Sequence, residues 1–284
     1  MRLPTRFLVA LLPLAAITAS LFAEDKSSPE YTLIVMDPLA LPLSCPCVKG
    51  YAQRDYEKLA TFLTAELGRP VKVTFHESLV AALKKKTDGK ADIVVGKHSV
   101  VLADAKKASI TLTPILSLTG KDGHTQMKGL FVVPSGDPAQ RVSDLKDYRI
   151  IFGPAECDEK HSAAMALLKT EKIAIPEKLE TCEACSDGAV KILELGKDVR
   201  SATVISSYAA PLLEGCGTIQ KGDLRVIGTT EPVPFVEAFV SEKLPSAERA
   251  AIEAALVKVG TKPELLMALE TKRGFVPLDP QKKR

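Results

Sequence analysis

The chain has 284 residues and a formal net charge of +3, and without the two arginines near its start basic and acidic residues almost balance. Balanced charge argues against a nucleic-acid partner. The absence of Trp disfavours sites for sugars or quaternary amines, which use large aromatic faces, and favours a small polar or charged ligand.

Residues 1–23 have the pattern of a cleavable secretory signal. Arg2 and Arg6 precede an apolar run from Phe7 to Ile17, and small residues lead to Ala23. We therefore expect export to the periplasm or another extracellular compartment. No later apolar run approaches the length of a membrane span, so we expect no membrane insertion after leader cleavage.

The next elements predict a helix between two strands. Residues 31–36 indicate a buried strand, and a long polar loop with Ser44, Cys45 and Cys47 follows it. From Tyr56 the apolar residues recur at helical spacing, with Arg54 expected on the solvent-exposed face. Gly68 and Pro70 end this helix, and residues 71–75 alternate with the period of a strand.

A second helix is predicted for residues 78–86 and a buried strand for residues 91–95, which completes a βαβαβ unit with a parallel sheet. The turn Gly96-Lys97-His98-Ser99 follows that strand. Because ligands bind beyond the carboxyl ends of such strands, this turn is a candidate binding segment.

The remaining pattern repeats the alternation of strand and helix. Strands are predicted at 110–118, 128–133, 148–152, 202–205, 224–229 and 235–240, and helices at 158–170, 184–195, 206–213, 247–259 and 263–269. We predict two α/β lobes joined by two chain crossings that form a hinge. Lobe 1 comprises residues 24–124 and 226–284, and lobe 2 comprises residues 125–225.

Several segments resemble the phosphonate-binding (PhnD-like) branch of periplasmic substrate-binding proteins of ABC transporters. The matching segments are 55–59, 62–63, 67–71, 81–83, 89–93, 143–147, 149–153 and 204–208. The resemblance implies a type II binding-protein fold, in which each lobe is a mainly parallel sheet flanked by helices and a cleft between the lobes holds the ligand. It also implies a transporter permease as partner, and we expect a monomer.

In that family the ligand contacts hydroxyls and backbone N–H groups at helix starts, which favour anions. The turn Lys97-His98-Ser99 matches the first such site, and the turn after Gly153-Pro154 matches the second. The expected contacts are Ser44, Lys97, His98, Ser99, Cys157, Asp158, His161, Ser207 and Tyr208. The second turn departs from the family, because Glu156, Asp158 and Glu159 would repel a phosphonate dianion unless neutralised. A cation, a metal complex or an amine-bearing solute is then an open alternative.

The six cysteines offer two interpretations. In an exported chain they are usually paired, and Cys157, Cys182, Cys185 and Cys216 are disulfide candidates. Cys45 and Cys47 lie too close in sequence for an easy mutual bridge. A soft-metal site is the alternative, because thiolates and imidazoles suit copper or zinc. Its possible ligands are Cys45, Cys47, His98, Cys157 and His161, and no other cofactor is expected.

No nucleophile elbow, zinc-protease, phosphate-loop or dinucleotide motif occurs in the sequence, so we expect no enzyme. The sequence predicts an exported protein that captures a small polar solute, either a phosphonate- or phosphate-like anion or a metal or metal complex, by hinge closure for ABC import. One alternative is a metal-binding or redox accessory of an exported oxidoreductase. Another is a scaffold of the same fold that binds a second protein.

Overall fold

The structure is a computed structural model and describes residues 30–44, 53–196 and 198–279. The predicted signal segment at 1–23, together with Cys45 and Cys47, lies outside these residues. None of the helices described is both long enough and apolar enough to span a membrane.

The described residues form strands and helices close to those predicted. The strands are β1 (Tyr31–Met36), β2 (Val71–Phe75), β3 (Ile93–Lys97), β4 (Leu112–Leu118), β5 (Gln126–Met127), β6 (Gly129–Pro134), β7 (Arg149–Phe152), β8 (Glu180–Thr181), β9 (Ser201–Ser206), β10 (Leu224–Thr229), β11 (Val233–Pro234), β12 (Val236–Ser241) and β13 (Phe275–Pro277). The helices are α1 (Tyr56–Leu67), α2 (Leu79–Lys85), α3 (His98–Lys107), α4 (Ser162–Thr170), α5 (Cys185–Glu194), α6 (Ala209–Gly215), α7 (Ser246–Lys258) and α8 (Pro263–Ala268).

Two separate sheets form the centres of two lobes. The first has the strand order β13-β4-β12-β3-β1-β2, and the second has the order β10-β6-β9-β7-β8. This arrangement confirms the predicted two-lobed α/β fold class. The sheets are mixed rather than mainly parallel, because β12 runs antiparallel to β3 and β4, and β6 runs antiparallel to β9 and β10. Strand β10 belongs to the second sheet and runs past the predicted lobe boundary at residue 225.

Helices cover both faces of each sheet and bury its apolar side chains. In the first lobe, α1, α7 and α8 pack on one face, and α2 and α3 pack on the other. In the second lobe, α4 packs on one face, and α5 and α6 pack on the other. The short strands β5 and β11 pair antiparallel beside the two segments that pass between the lobes, where the sequence predicts the hinge.

The sequence specifies α1 locally at both ends. The Asp55 carboxylate accepts hydrogen bonds from the backbone N–H groups of Glu57 and Lys58, and Gly68 ends the helix in the left-handed conformation. The predicted apolar stripe is buried, from Tyr56 to Leu63. Burying this stripe against the sheet supplies most of the helix's stability.

A buried ion pair fixes the start of α1 to the end of β1. Arg54 Nη1 lies 2.9 Å from Asp37 Oδ2, and the Tyr56 hydroxyl donates to the same oxygen at 2.6 Å. Arg54 is only 2% exposed, so its predicted solvent-facing position was wrong. The guanidinium of Arg54 turns inward because the buried Asp37 carboxylate needs a counter-charge. This pair holds together the two ends of the loop that precedes α1.

Candidate functional site

A cavity of about 800 Å³ lies between the lobes, where the carboxyl ends of both sheets face each other. Lobe 1 contributes residues from the ends of β1 and β3, including Ser44 and Lys97. Lobe 2 contributes the loop after β7, the start of α5 and the residues around α6, including Cys157, Lys160 and Tyr208. We call this cavity the cleft. Its size fits a small solute.

The first wall of the cleft is the junction of β3 and α3. Gly96 lets β3 lie close to β1, because a Cβ at this position would come 2.6 Å from the Met36 Cβ. Lys97 then precedes the first turn of α3 and is 5% exposed. The predicted strand is present and passes directly into α3 without the predicted turn, and this junction brings the Lys97 side chain to the cleft.

The second wall is the loop of residues 153–161, which follows β7. Two glycines let it pack closely. A Cβ on Gly129 would lie 2.0 Å from the Glu159 carbonyl oxygen, and a Cβ on Gly153 would lie 2.6 Å from both Cβ and Cε of Lys160. No real Cβ tolerates such distances. The glycines therefore place the side chains of Glu159 and Lys160 deep between the lobes.

Glu159 is the central buried acid of the cleft wall. Its Oε1 lies 2.7 Å from Lys97 Nζ, and the Ser206 hydroxyl donates to the same oxygen at 2.5 Å. The residue is 0% exposed. Its second carboxylate oxygen, Oε2, has no hydrogen-bond partner among the residues described. Lys97 belongs to lobe 1 and Glu159 to lobe 2, so this ion pair joins the two lobes.

Lys160 is a second buried cation, and it lines the cleft. It is 3% exposed, and in the described part of the chain no salt bridge joins its ammonium to a carboxylate. Burial lowers the pKa of Lys160, but the neighbouring Cys185, Cys157 and Glu159 side chains raise it by more, so its net pKa lies above the ordinary value. Glu159, the carboxylate among these neighbours, is itself paired with Lys97, and the Lys160 side chain lines the cleft where an anion would lie.

Free thiols surround Lys160. The four described cysteines are unbridged, so the disulfide pairing predicted among Cys157, Cys182, Cys185 and Cys216 is not formed. Cys185 Sγ instead accepts the Ser206 backbone N–H at 3.4 Å, and Cys216 Sγ lies 2.9 Å from the Thr218 hydroxyl. Burial raises the pKa values of Cys157 and Cys182, although nearby lysines oppose it. These two thiols are therefore protonated at neutral pH.

Further hydrogen bonds join the two walls at the cleft mouth. The Ser99 hydroxyl donates to the Glu156 carbonyl oxygen at 2.7 Å, and it also accepts the Asp158 backbone N–H at 3.4 Å. Lys107 Nζ lies 3.4 Å from Glu156 Oε1. Of the three carboxylates that would repel an anion, Glu156 and Glu159 are thus each paired with a lysine of lobe 1.

Only some of the predicted contact residues line the cleft. Ser44, Lys97, Cys157 and Tyr208 do so, and the Tyr208 ring stacks on Phe235 with centroids 5.0 Å apart. Burial raises the Tyr208 pKa well above its ordinary value, with Cys185 and Glu159 adding to the effect. Its phenol therefore stays neutral.

The other predicted contacts point elsewhere. His98 Nδ1 lies 2.6 Å from Glu237 Oε2, and this histidine lines a different cavity. His161 Nδ1 lies 3.0 Å from the Gly153 carbonyl oxygen. Ser207 accepts the Lys128 backbone N–H at 3.2 Å beside the hinge, and Asp158 accepts the Ser162 hydroxyl at 3.1 Å.

The residues described contain no group of three or more His, Cys, Asp or Glu side chains able to hold a metal ion. His98 and His161 do not converge on Cys157, because each ring is engaged elsewhere. Cys45 and Cys47, the other possible ligands, lie outside the described residues. The thiols also surround the Lys160 ammonium, which repels a cation.

The sequence interpretation did not include Lys160 or Ser206 among the ligand contacts, considered Cys185 only as a disulfide candidate, and expected Glu159 to repel an anion. A local signal was available for the lysine. Lys160 follows a glycine-proline turn after a buried strand, which is the position at which parallel sheets bind ligands. The glycines that bring this turn into the cleft were the second signal.

Comparison with known proteins agrees with this geometry. A family model described as "ABC transporter, phosphonate, periplasmic substrate-binding protein" matches residues 50–282. No curated protein matches the sequence significantly.

Solved structures share the fold at low sequence identity. A Xanthomonas citri protein bound to ATP has 16% identity and a TM-score of 0.66, covering 90% of this chain and 93% of that one. A binding-protein component of a phosphonate ABC transporter from Pseudomonas aeruginosa has 12% identity and a TM-score of 0.64, covering 89% and 82%. PhnD1 from Prochlorococcus marinus, in complex with methylphosphonate, has 12% identity and a TM-score of 0.61, covering 89% and 93%.

Proposed function

The chain belongs to the phosphonate-binding family of periplasmic substrate-binding proteins of ABC transporters, and we propose that it captures a small anionic solute in the cleft for import. Members of this family bind small ligands and work with permease components, and the family implies an exported protein. Our proposal is that the ligand is an anion and that the two lobes close around it.

The position of Lys160 in the cleft is the observation that supports this proposal. Its ammonium is buried and lines a cavity between the lobes without a carboxylate bridge in the described part of the chain. A buried charge without a partner is costly, and a bound anion would remove that cost. Cys157 and Tyr208, whose pKa values are raised by burial, supply neutral groups around the same space.

Closure of the lobes follows from the contacts between the two walls. The Lys97–Glu159 pair and the bond from Ser99 to Glu156 form only when the lobes approach each other. An anion at Lys160 would add a further attraction inside the same space, so ligand binding favours the closed arrangement.

The test is anion binding by wild type and by Lys160→Met, measured by isothermal titration calorimetry. The probes are phosphate, methylphosphonate, sulfate and methanesulfonate. We expect at least one probe to bind wild type, and Lys160→Met to lose affinity by about tenfold or more, as for other buried charge partners. Lys169→Met changes an exposed lysine on the surface of α4 and serves as the control. Equal binding by wild type and Lys160→Met would refute the proposal.

One observation favours a second function, that of a metal-binding or redox accessory protein. Cys157, Cys185 and Cys216 line the cleft as free thiols. Soft metals bind thiolates, whereas burial keeps Cys157 protonated at neutral pH. Metal analysis of the protein purified from its own host distinguishes the two functions. Stoichiometric copper or zinc that is lost on cysteine alkylation would favour the accessory role over anion capture.

A further inference from the structure

We infer that the Glu159 carboxylate is an internal counter-anion that neutralises the charge of Lys97. The cleft is then selective for a ligand group with a single negative charge. This inference rests on the proposed capture of an anion and specifies which anions the cleft accepts. Glu159 is then the residue that determines charge specificity, although it does not have to touch the ligand.

The Glu159 carboxylate is held in the way a bound anion is held. Lys97 supplies an ammonium at 2.7 Å from lobe 1, and Ser206 supplies a hydroxyl at 2.5 Å from lobe 2. The backbone of Glu159 is fixed as well, because its carbonyl oxygen occupies the space left by the missing side chain of Gly129. An external anion at Lys97 would have to displace a buried carboxylate that the fold itself keeps in place.

The charges around the cleft then leave one positive charge for the ligand. Lys97 and Lys160 are buried cations, and Glu159 is the buried anion that offsets one of them. Cys157 and Tyr208 stay neutral because burial raises their pKa values. A ligand with one negative charge neutralises this interior. A dianion would leave a net negative charge in a poorly solvated space, which is unfavourable.

The remaining carboxylates at the cleft act weakly on this balance. Glu77 and Glu183 line the cleft but are exposed to solvent, and Glu156 is paired with Lys107 at the mouth. Water screens exposed charges strongly. All three also repel a dianion more than a monoanion, so they act in the same direction as Glu159.

A simple structural role for Glu159 makes a different prediction. If the Lys97–Glu159 pair only locks the lobes together, replacing Glu159 would change the affinity for monoanions and dianions by the same factor. If Glu159 sets the charge of the interior, the ratio of the two affinities would change. The ratio is therefore the decisive measurement.

Methanesulfonate and sulfate are suitable probes, because both have a tetrahedral sulfur and their charges of one and two are fixed at neutral pH. Titration calorimetry of wild type should show methanesulfonate binding about tenfold or more tightly than sulfate. Glu159→Gln keeps the shape of the side chain but frees the Lys97 charge. We expect sulfate affinity to rise by about tenfold or more relative to methanesulfonate affinity in this variant, so that the preference for the monoanion is lost.

The double variant Lys97→Met/Glu159→Gln is the matched control, because it removes both members of the pair and leaves the charge of Lys160. We expect it to regain the wild-type preference for methanesulfonate. Circular dichroism checks that each variant folds. If Glu159→Gln does not fold, the double variant decides by the same ratio, since a preference for sulfate in this variant would overturn the inference and a preference for methanesulfonate would support it.

Failure of the inference is distinguishable from failure of the proposed function. An unchanged ratio in a folded Glu159→Gln variant, or a wild-type preference for sulfate, would overturn the charge selection while anion capture stands. Binding of neither probe by wild type, together with no binding of phosphate or methylphosphonate, would overturn anion capture and the inference with it.

Discussion

At the scale of single residues, Gly153 controls the position of Lys160. The lysine stem passes directly over this glycine, and a Cβ there would lie 2.6 Å from two of its carbons. Side chains in a packed wall have no free space into which they can shift without cost. The absence of a side chain at residue 153 is therefore part of the binding geometry.

Gly153→Ala should weaken anion binding by about tenfold while the protein still folds, because the added methyl displaces the flexible Lys160 stem and its ammonium. Calorimetric titration with methanesulfonate measures this change. Gly136→Ala is the control, since a Cβ at that position meets no atom within 4 Å. Equal affinity in the two variants would show that Lys160 is not positioned by the glycine.

The buried pair of Arg54 and Asp37 is the second feature at this scale. Arg54→Met leaves the Asp37 carboxylate in the interior without a counter-charge, with the Tyr56 hydroxyl and the Leu39 backbone N–H as its hydrogen-bond donors. We expect the free energy of unfolding in urea to fall by about 3–5 kcal/mol. Lys58→Met removes an exposed ion pair in which Lys58 Nζ lies 3.8 Å from Asp55 Oδ2, and it should lower the free energy of unfolding by less than about 1 kcal/mol. Similar losses for both would contradict a buried role for Arg54.

These residues show where sequence reasoning succeeds and where it stops. The stripe and both ends of α1 were predictable, because caps and spacing are local. The burial of Arg54 was not, since its partner Asp37 lies in another segment. His98 likewise turns to Glu237, 139 residues away along the chain. Such long-range charge pairs determine which way a side chain points, and they cannot be predicted from the local periodicity of the sequence.

At the scale of elements, the edge strand β8 has only two residues and is held in place mainly by ion pairs of Glu180. Glu180 receives hydrogen bonds from Arg149 at 2.6 Å and 2.8 Å and pairs with Lys191 of α5 at 2.5 Å. Hydrogen bonds from Arg149 lower the pKa of Glu180, burial opposes this, and Lys191 lowers it further, giving a value of about 2 instead of 4.5. One carboxylate thus joins β7, β8 and α5.

This pKa predicts a pH dependence with a defined sign. Because the folded-state pKa is below the ordinary value, the ion pairs stabilise the fold fully above about pH 4.5, and this stabilisation is lost as the pH falls towards about 2. Glu180→Gln should lower the free energy of unfolding by about 1 kcal/mol at neutral pH, since the site is partly exposed. The difference from wild type should disappear near pH 2.

Glu177→Gln is the control for this measurement, because Glu177 is exposed and belongs to none of the salt bridges described for residue 180. Denaturant unfolding at several pH values provides the data. A loss that is the same at neutral and acid pH would show that Glu180 stabilises β8 by packing rather than by charge.

At the scale of the whole molecule, contacts between α3 and the loop of residues 156–159 join the two lobes at the cleft mouth. Ser99 and Lys107 both bind Glu156 across the cleft mouth. The sheet organisation that creates this mouth was predicted from the alternation of strands and helices. The contacts themselves were not, because they depend on how the two lobes face each other.

The double variant Ser99→Ala/Lys107→Met should favour the open arrangement. We expect a larger radius of gyration without ligand, measured by small-angle X-ray scattering, and methanesulfonate affinity lower by about threefold to tenfold, since each broken hydrogen bond is worth about 1 kcal/mol. The single variant Lys106→Met is the control, because Lys106 is the exposed neighbour of Lys107 and both contacts across the cleft mouth remain in this variant. Identical scattering from the two variants would show that these contacts do not hold the lobes together.

The free thiols of the cleft have a practical consequence. Cys157 and Cys185 line the cleft and are partly exposed. With the proposed closure, a maleimide reagent should alkylate them more slowly when an anion holds the lobes together than when the cleft is empty. The rate of alkylation would then measure hinge motion through cysteines that the chain already contains.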